Sequence, residues 1–315
     1  MNQLLAWTLF NIFVVSMLVL DLKVFHRTAH EVKVKEALLW SAFWVSLALL
    51  FCGGIFYFRG PDPALKFLAG YMIEESLSVD NLFVFLVIFS FFKVPKHFQH
   101  RVLFWGIVGA LIMRALFILA GVSLIHRFHW MVYIFGAFLV MTALKLVLSK
   151  EKEVEPEKNP ILKLVRHILP ITESYEGERF LTRKSGRLYA TPLLVVLLAI
   201  ESTDVIFAVD SIPAVLSVTT DPFIVYTSNI FAILGLRAIF FALAGLMGLF
   251  RFLNYGLGFI LAFVGVKMLI SDVVIIPIGM ALGVIACILG LSIAASLYWP
   301  EKSGGEGGSG SGHGH

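Results

Sequence analysis

Apolar residues run through this chain in blocks of roughly twenty, separated by short polar stretches rich in Lys and Arg. A helix rising about 1.5 Å per residue crosses the roughly 30 Å hydrocarbon core of a bilayer in a block of that length. The pattern predicts nine spans, at about 4–24, 37–58, 65–91, 102–125, 129–148, 191–217, 224–250, 253–271 and 275–298. An all-α membrane protein follows. Its expected segments are two N-terminal spans (1–60), a three-helix group (65–149), a connection (150–190), a second three-helix group (191–271), a last span (275–299) and a tail (300–315). The tail is Gly/Ser-rich and disordered in character. The first block lacks a basic n-region and a small-residue cleavage site, and reads as a true span.

Two blocks break the apolar rule. One carries Glu74, Glu75 and Asp80; the other carries Glu201, Asp204 and Asp210. A charge at mid-bilayer costs roughly 2.5–3.5 kcal/mol on the insertion scale, so six unpaired acids would cost about 15–20 kcal/mol. The cations at depth are Arg114 and Arg237, while Lys145 and Lys267 lie near span ends where they can snorkel. The arginines either snorkel and cap carbonyls or pair with the acids, and their matched positions favour pairing. Protons or a bound cation must supply the remaining positive charge.

The two acidic blocks are copies of one pattern. Glu74 and Asp80 map onto Asp204 and Asp210, Arg114-Ala-Leu-Phe onto Arg237-Ala-Ile-Phe, and Tyr133, Gly136, Lys145 and Ser149 onto Tyr255, Gly258, Lys267 and Ser271. Spans three to five and six to eight therefore read as one three-helix unit repeated. Because three is odd, the copies enter the membrane from opposite sides, as inverted-topology repeats. Lys and Arg give the orientation: 18 of the 25 lie in the loops after spans one, three, five and seven or in the tail. That bias puts the N-terminus outside and the C-terminus in the cytoplasm.

Glu201 and Asp204, three residues apart, share a helix face, but Glu74 and Asp80 at i, i+6 stand about 120° apart on a regular helix. Pro213 and the small residues Ser76, Ser78, Ser202 and Ser211 suggest that these spans bend or unwind at mid-membrane, freeing carbonyls to act as ligands. Asn81 and Ser211, at matched positions, would add neutral oxygens. The candidate metal-ligand set is Glu74, Asp80, Asn81, Glu201, Asp204, Asp210 and Ser211, with Arg114 and Arg237 compensating charge. Such all-oxygen donors suit Mn²⁺, Mg²⁺ or Ca²⁺ rather than Zn²⁺ or Cu⁺. The competing reading is an ion-pair network without a metal. Glu75 is a secondary candidate because its repeat partner is apolar Val205; Lys145, Lys267 and Asn229 are also secondary. Asn229 either caps its helix or makes a gating contact. His97, His100, His126 and His129 read as loop residues at the interface, and Asp21 as a helix-end residue near Lys23.

Composition narrows the function. The chain is 59% hydrophobic with 29 Phe, and its mean hydropathy is +0.89. A pI near 9.0 arises from loop cations that orient spans, so no nucleic-acid partner is implied. Cys52 and Cys287 form neither a CxxC motif nor a zinc site. In the 149–190 connection a charged linker precedes ILKLVRHIL, read as a short amphipathic helix on the membrane surface. RFLTRKSGRLYAT then reads as a hairpin turning at Lys184-Ser185-Gly186. Nothing in the connection is long enough for a catalytic domain. Intramembrane protease signatures are absent, with Val79 where the paired-Glu type needs Arg, so the chain is not read as an enzyme.

The runs GYMIEESLSVDNLFVF, IESTDVIFAVDSIPA and TTDPFIVYTSNIFAILGLRA resemble the TerC membrane proteins, in their Alx-like branch, and the resemblance covers about residues 1–300. It implies a bacterial inner-membrane protein of a wider exporter group built on inverted three-helix repeats, moving Mn²⁺ out of the cytoplasm. By position it points to Glu74, Asp80, Glu201, Asp204 and Asp210, with Asn81 and Ser211 beside them; Glu75 is outside the pattern. Transport is expected to be a proton antiport, with the metal cation, protons and the lipid bilayer as partners. The alternative is a membrane partner that hands metal to exported proteins without bulk transport.

Overall fold

The computed structural model describes residues 3–25, 34–128, 130–148, 170–172, 174–184, 187–244, 253–274 and 276–298. Among them lie nine helices and one hairpin. The helices are α1 (Gln3–Phe25), α2 (Val34–Arg59), α3 (Pro61–Phe91), α4 (Lys96–Arg127), α5 (Met131–Leu148), α6 (Pro192–Leu216), α7 (Pro222–Ala244), α8 (Leu253–Leu269) and α9 (Ile278–Tyr298). Five of these, α2, α4, α6, α7 and α9, are long and apolar enough to cross a membrane. This is an all-α membrane protein, as lipid requires of a chain that must satisfy its own backbone groups.

Three expectations need correction. α3 and α6 run without a break through the acidic positions. Pro213 falls in the last turn of α6 and has no N–H to give the carbonyl four residues back, yet the helix runs on to Leu216. Two of the four small hydroxyls bond back to their own helices, Ser76 to the Met72 carbonyl (2.6 Å) and Ser202 to that of Ala199 (2.8 Å), so these two occupy carbonyls rather than free them. α4 starts at Lys96, directly after Pro95, and takes His97 and His100 into its first turns; the His100 ring lies 4.2 Å from that of Phe241. His126 sits in its last turn, and His129 lies outside the described residues. Finally, Asn229 caps nothing. Asp221 caps α7, its Oδ1 accepting from the N–H groups of Phe223 (2.9 Å) and Ile224 (3.4 Å), while its Oδ2 takes Arg59 at 2.8 Å.

Helices pair across the two groups: α3 packs on α7, α4 on α6, and α5 on α8. The α5–α8 seam is the tightest, because a Cβ on Gly136 would stand 3.0 Å from the Gly265 carbonyl, and one on Gly265 2.8 Å from that of Gly136. Only glycine allows backbones that close. α1 and α2 attach through an aromatic cluster in which Phe51 and Phe231 have ring centroids 4.9 Å apart.

Two further apolar clusters set the direction of each helix. α3 passes from the first (Ala69, Ile73, Leu77) to the second (Leu82, Phe85, Ile88), and α6 passes from the second (Val196, Ile200) to the first (Ala208, Ile212). α4 runs from the second to the first, and α7 from the first to the second. Hence α3 and α7 run one way, and α4 and α6 the other.

Strands β1 (Leu181–Lys184) and β2 (Arg187–Ala190) form an antiparallel hairpin with Lys184 opposite Arg187; Ser185 and Gly186, of the expected turn, lie outside the described residues. β2 leads directly into α6. Just before β1, Tyr175 donates its hydroxyl to the Phe92 carbonyl at 2.7 Å, and burial raises its phenol above the ordinary value. The expected amphipathic helix in the connection lies outside the described residues.

Candidate functional site

The two clusters meet at a polar level, and the sequence places a polar residue there on each of four helices. The interval from Leu77 to Leu82 on α3 holds Ser78, Asp80 and Asn81; that from Ala110 to Ile118 on α4 holds Arg114. On α6 the interval from Ile200 to Ala208 holds Glu201 and Asp204, and on α7 that from Val225 to Ile233 holds Asn229. A polar belt thus crosses the bundle between two apolar plugs.

Arg114 is the centre of the belt. Its side chain is 0% exposed and pairs with two carboxylates. It meets Glu74 of α3 through Nη1, and Asp204 of α6 through Nη2 to Oδ1 (3.1 Å) and Nε to Oδ2 (3.4 Å). The fork of the guanidinium fits Asp204 with two bonds, a geometry Lys cannot copy. Two buried acids share one cation, leaving a formal excess of one negative charge among these three side chains.

Several buried polar atoms on α3, α6 and α7 have no hydrogen-bond partner among the described residues. They are Glu74 Oε2, Ser78 Oγ, Asn81 Nδ2, Ser211 Oγ and both amide atoms of Asn229. Leaving a group of this kind unsatisfied costs about 1–3 kcal/mol. Orphaned groups on three helices, in the belt or within about two turns of it, call for an explanation beyond packing. Among the described residues no three of His, Cys, Asp and Glu converge as a metal-holding group. The side chains of Asp80 and Asp210 lie outside the described residues; both positions are helical.

The remaining acids part company. Glu201, half-buried, lies over Gly109 of α4, where any Cβ would overlap its carboxylate. Glu75 turns to another face of α3: it accepts the Tyr71 hydroxyl at 2.6 Å and stands beside Gly235 of α7. Adjacent in sequence, Glu74 and Glu75 thus serve different surroundings. Lys267 approaches the Ser217 carbonyl at 3.5 Å near the end of α6, and Lys145 is exposed. Arg237 is buried and, with Asp204, lines a cavity of about 20 Å³ on the second-cluster side of the belt.

The sequence marks Ser78 only as a small residue, yet its hydroxyl is fully buried in the belt. Its signal was available, since it stands one turn after Glu74. Gly109 carried none, because a glycine's fit to a distant Glu201 is written in no local pattern.

Comparison with known proteins agrees with this architecture. Residues 59–304 match the integral membrane protein TerC family. A Myxococcus xanthus relative named "Uncharacterized membrane protein STKORF319" is 56% identical over 291 residues, covering 92% of this chain and 91% of its own. Relatives named "Putative membrane-bound redox modulator Alx" are 48% identical in Salmonella typhi, over 93% of this chain and 94% of theirs, and 49% identical in Escherichia coli K12, over 90% and 92%. No solved structure matches the chain. With the family matched over most of its length and relatives covering nine-tenths of it, the chain belongs to the integral membrane protein TerC family.

Proposed function

We infer that the protein exports a divalent cation, Mn²⁺ foremost, from the cytoplasm across the inner membrane in exchange for protons. One observation carries this reading: a fully buried Arg114 shared by Glu74 and Asp204, in a belt of unpartnered oxygens sealed above and below by apolar clusters. A purely structural network would satisfy its members. Here the acids outnumber the arginine that holds them, and the spare donors are oxygens of the kind Mn²⁺ takes.

Arg114 acts in this scheme as a tethered cation. It balances Glu74 and Asp204 while the site is empty and gives way when the metal arrives. Glu74, Asp80, Asn81, Glu201, Asp204, Asp210 and Ser211 supply the oxygens, and Arg237 takes part of the remaining charge. Protons returning with the empty carrier avoid moving naked carboxylates through lipid. The opposed runs of α3 and α6 support two inverted halves built around this belt. An inner-membrane location with the N-terminus outside and the C-terminus in the cytoplasm follows from the Lys and Arg bias.

The test is Mn²⁺ uptake by inside-out vesicles, with and without an imposed pH gradient, alongside proton movement read by a pH-sensitive dye. Mn²⁺-dependent proton movement is expected. Metal flux indifferent to the gradient would replace antiport with a uniporter or channel. Absence of flux, with partner binding retained, would favour metal delivery to exported proteins.

A further inference from the structure

The segment just before the hairpin is tied down more firmly than a mere connection requires. Ile171, Tyr175 and Phe180 pack on the end of the second apolar cluster, beside Phe92 and Phe98. Besides the Tyr175 bond to the Phe92 carbonyl, Arg101 of α4 pairs with Glu178 at 2.7 Å, and its guanidinium lies 5.6 Å from the centre of the Phe180 ring. Thr191 Oγ1 donates to the Arg179 carbonyl at 2.6 Å and fixes the segment to the start of α6.

α4 links this strap to the belt. Arg101 holds the strap, Gly106 and Ala110 line the 20 Å³ cavity that ends on Asp204, and Arg114 holds Asp204 itself. The thirteen helical steps from Arg101 to Arg114 span about 20 Å of one continuous helix. At the matching place before α3 there is no such strap, since α2 ends at Arg59 and α3 begins at Pro61. Among the described residues, the two ends of the bundle are therefore closed differently: the first-cluster end by helix packing, the second-cluster end by packing and a latched segment.

We propose that residues 174–180 are a gate over the cavity that leads to Asp204, latched through Arg101–Glu178 and Tyr175–Phe92, on the side that the Lys and Arg bias assigns to the cytoplasm. The inference rests on the transport reading for its purpose, but its geometry is tested without transport. Releasing the latch opens the cavity from that side alone, and loss of the half-exposed ion pair shifts the opening by about two- to fivefold.

The experiment places a single thiol in the cavity, Ala110→Cys, with Gly106→Cys as a second site, in a Cys52→Ser/Cys287→Ser background. Its labelling rate by a charged, impermeant maleimide is measured in inside-out and right-side-out vesicles. Arg101→Gln, Glu178→Gln and Tyr175→Phe should each raise the rate about two- to fivefold in inside-out vesicles only, and the swap Arg101→Glu with Glu178→Arg should return it towards the parent. Unchanged rates, or an equal rise from both sides, overturn the gate. Mn²⁺ flux in the same vesicles separates the two ideas. Gated labelling without flux sinks transport alone, and flux with indifferent labelling sinks the gate alone.

Discussion

Arg114 on α4 and Asp204 on α6, 90 positions apart in sequence, meet in a buried two-bond contact. That contact joins the two three-helix groups at mid-bundle, and Glu74 completes it from α3. Stability and proposed chemistry therefore converge on one guanidinium.

Removing the guanidinium should unfold more than it disarms. Arg114→Ala strands two buried carboxylates, and breaking a buried pair in this way costs about 3–5 kcal/mol. The protein should lose its monodisperse peak in fluorescence-detected size exclusion after mild heating. Pairing Arg114→Gln with Asp204→Asn should recover much of the loss, because one negative charge leaves with the positive one. Wild-type heat resistance in Arg114→Ala would show that the pair holds nothing together.

Asp80→Asn and Asp210→Asn should each abolish Mn²⁺ extrusion while the protein remains in the membrane. Each change removes a charge at nearly constant size, at positions adjoining Asn81 and Ser211. Glu75→Gln should be the mild member of the set, because its carboxylate faces Tyr71 and Gly235 rather than Arg114. Vesicle uptake of Mn²⁺ ranks all three. Full rates in both Asp variants would move the site elsewhere.

The helices were legible in the sequence, most of them to within a few residues of their ends, because lipid forces apolar side chains and intrahelical hydrogen bonds on a crossing segment. The repeat singled out Glu74, Arg114, Asp204 and Arg237, all of them buried; Arg114 joins Glu74 to Asp204, and Arg237 lines a cavity that Asp204 also lines. Helix regularity was not legible. Ser76 and Ser202 promised a bend and instead bond back to carbonyls of their own helices, a choice that local sequence leaves open. Nor was the division of labour between Glu74 and Glu75, since which neighbour faces each acid depends on how α3 is rotated against α4 and α7. Asp221, rather than Asn229, opens α7 because Pro222 follows it and suits the first helical position.

A local gain in stability is available at Lys93, whose φ of 49° lies in the left-handed region. The N–H of Val94 bonds to the Phe89 carbonyl at 2.9 Å and that of Lys93 to the Ser90 carbonyl at 3.1 Å, the paired bonds that end a helix on such a residue. A side chain there costs about 1–2 kcal/mol, so Lys93→Gly should stabilise by roughly 1 kcal/mol once the looser unfolded chain is counted. Reversible unfolding in mixed micelles measures it. A destabilised variant would mean that the Lys93 side chain makes a contact worth more than the strain.

The direction of the helices gives the last prediction. α3 leaves the first apolar cluster for the second, and α6 makes the opposite journey, so their N-termini lie at opposite faces of the bundle. Reporters near the two starts must then give opposite answers. One in 59–64, at the start of α3, should read outside; one in 187–190, at the start of α6, should read cytoplasm. At their far ends, 93–100 should read cytoplasm and 219–222 outside, because the Lys and Arg bias places the basic loops inside. Cysteines at these sites, labelled by an impermeant maleimide in intact cells, distinguish the faces. A cytoplasmic result at 219–222 would mean that α3 and α6 cross in the same sense, and the two halves could not then share a belt through an inverted repeat.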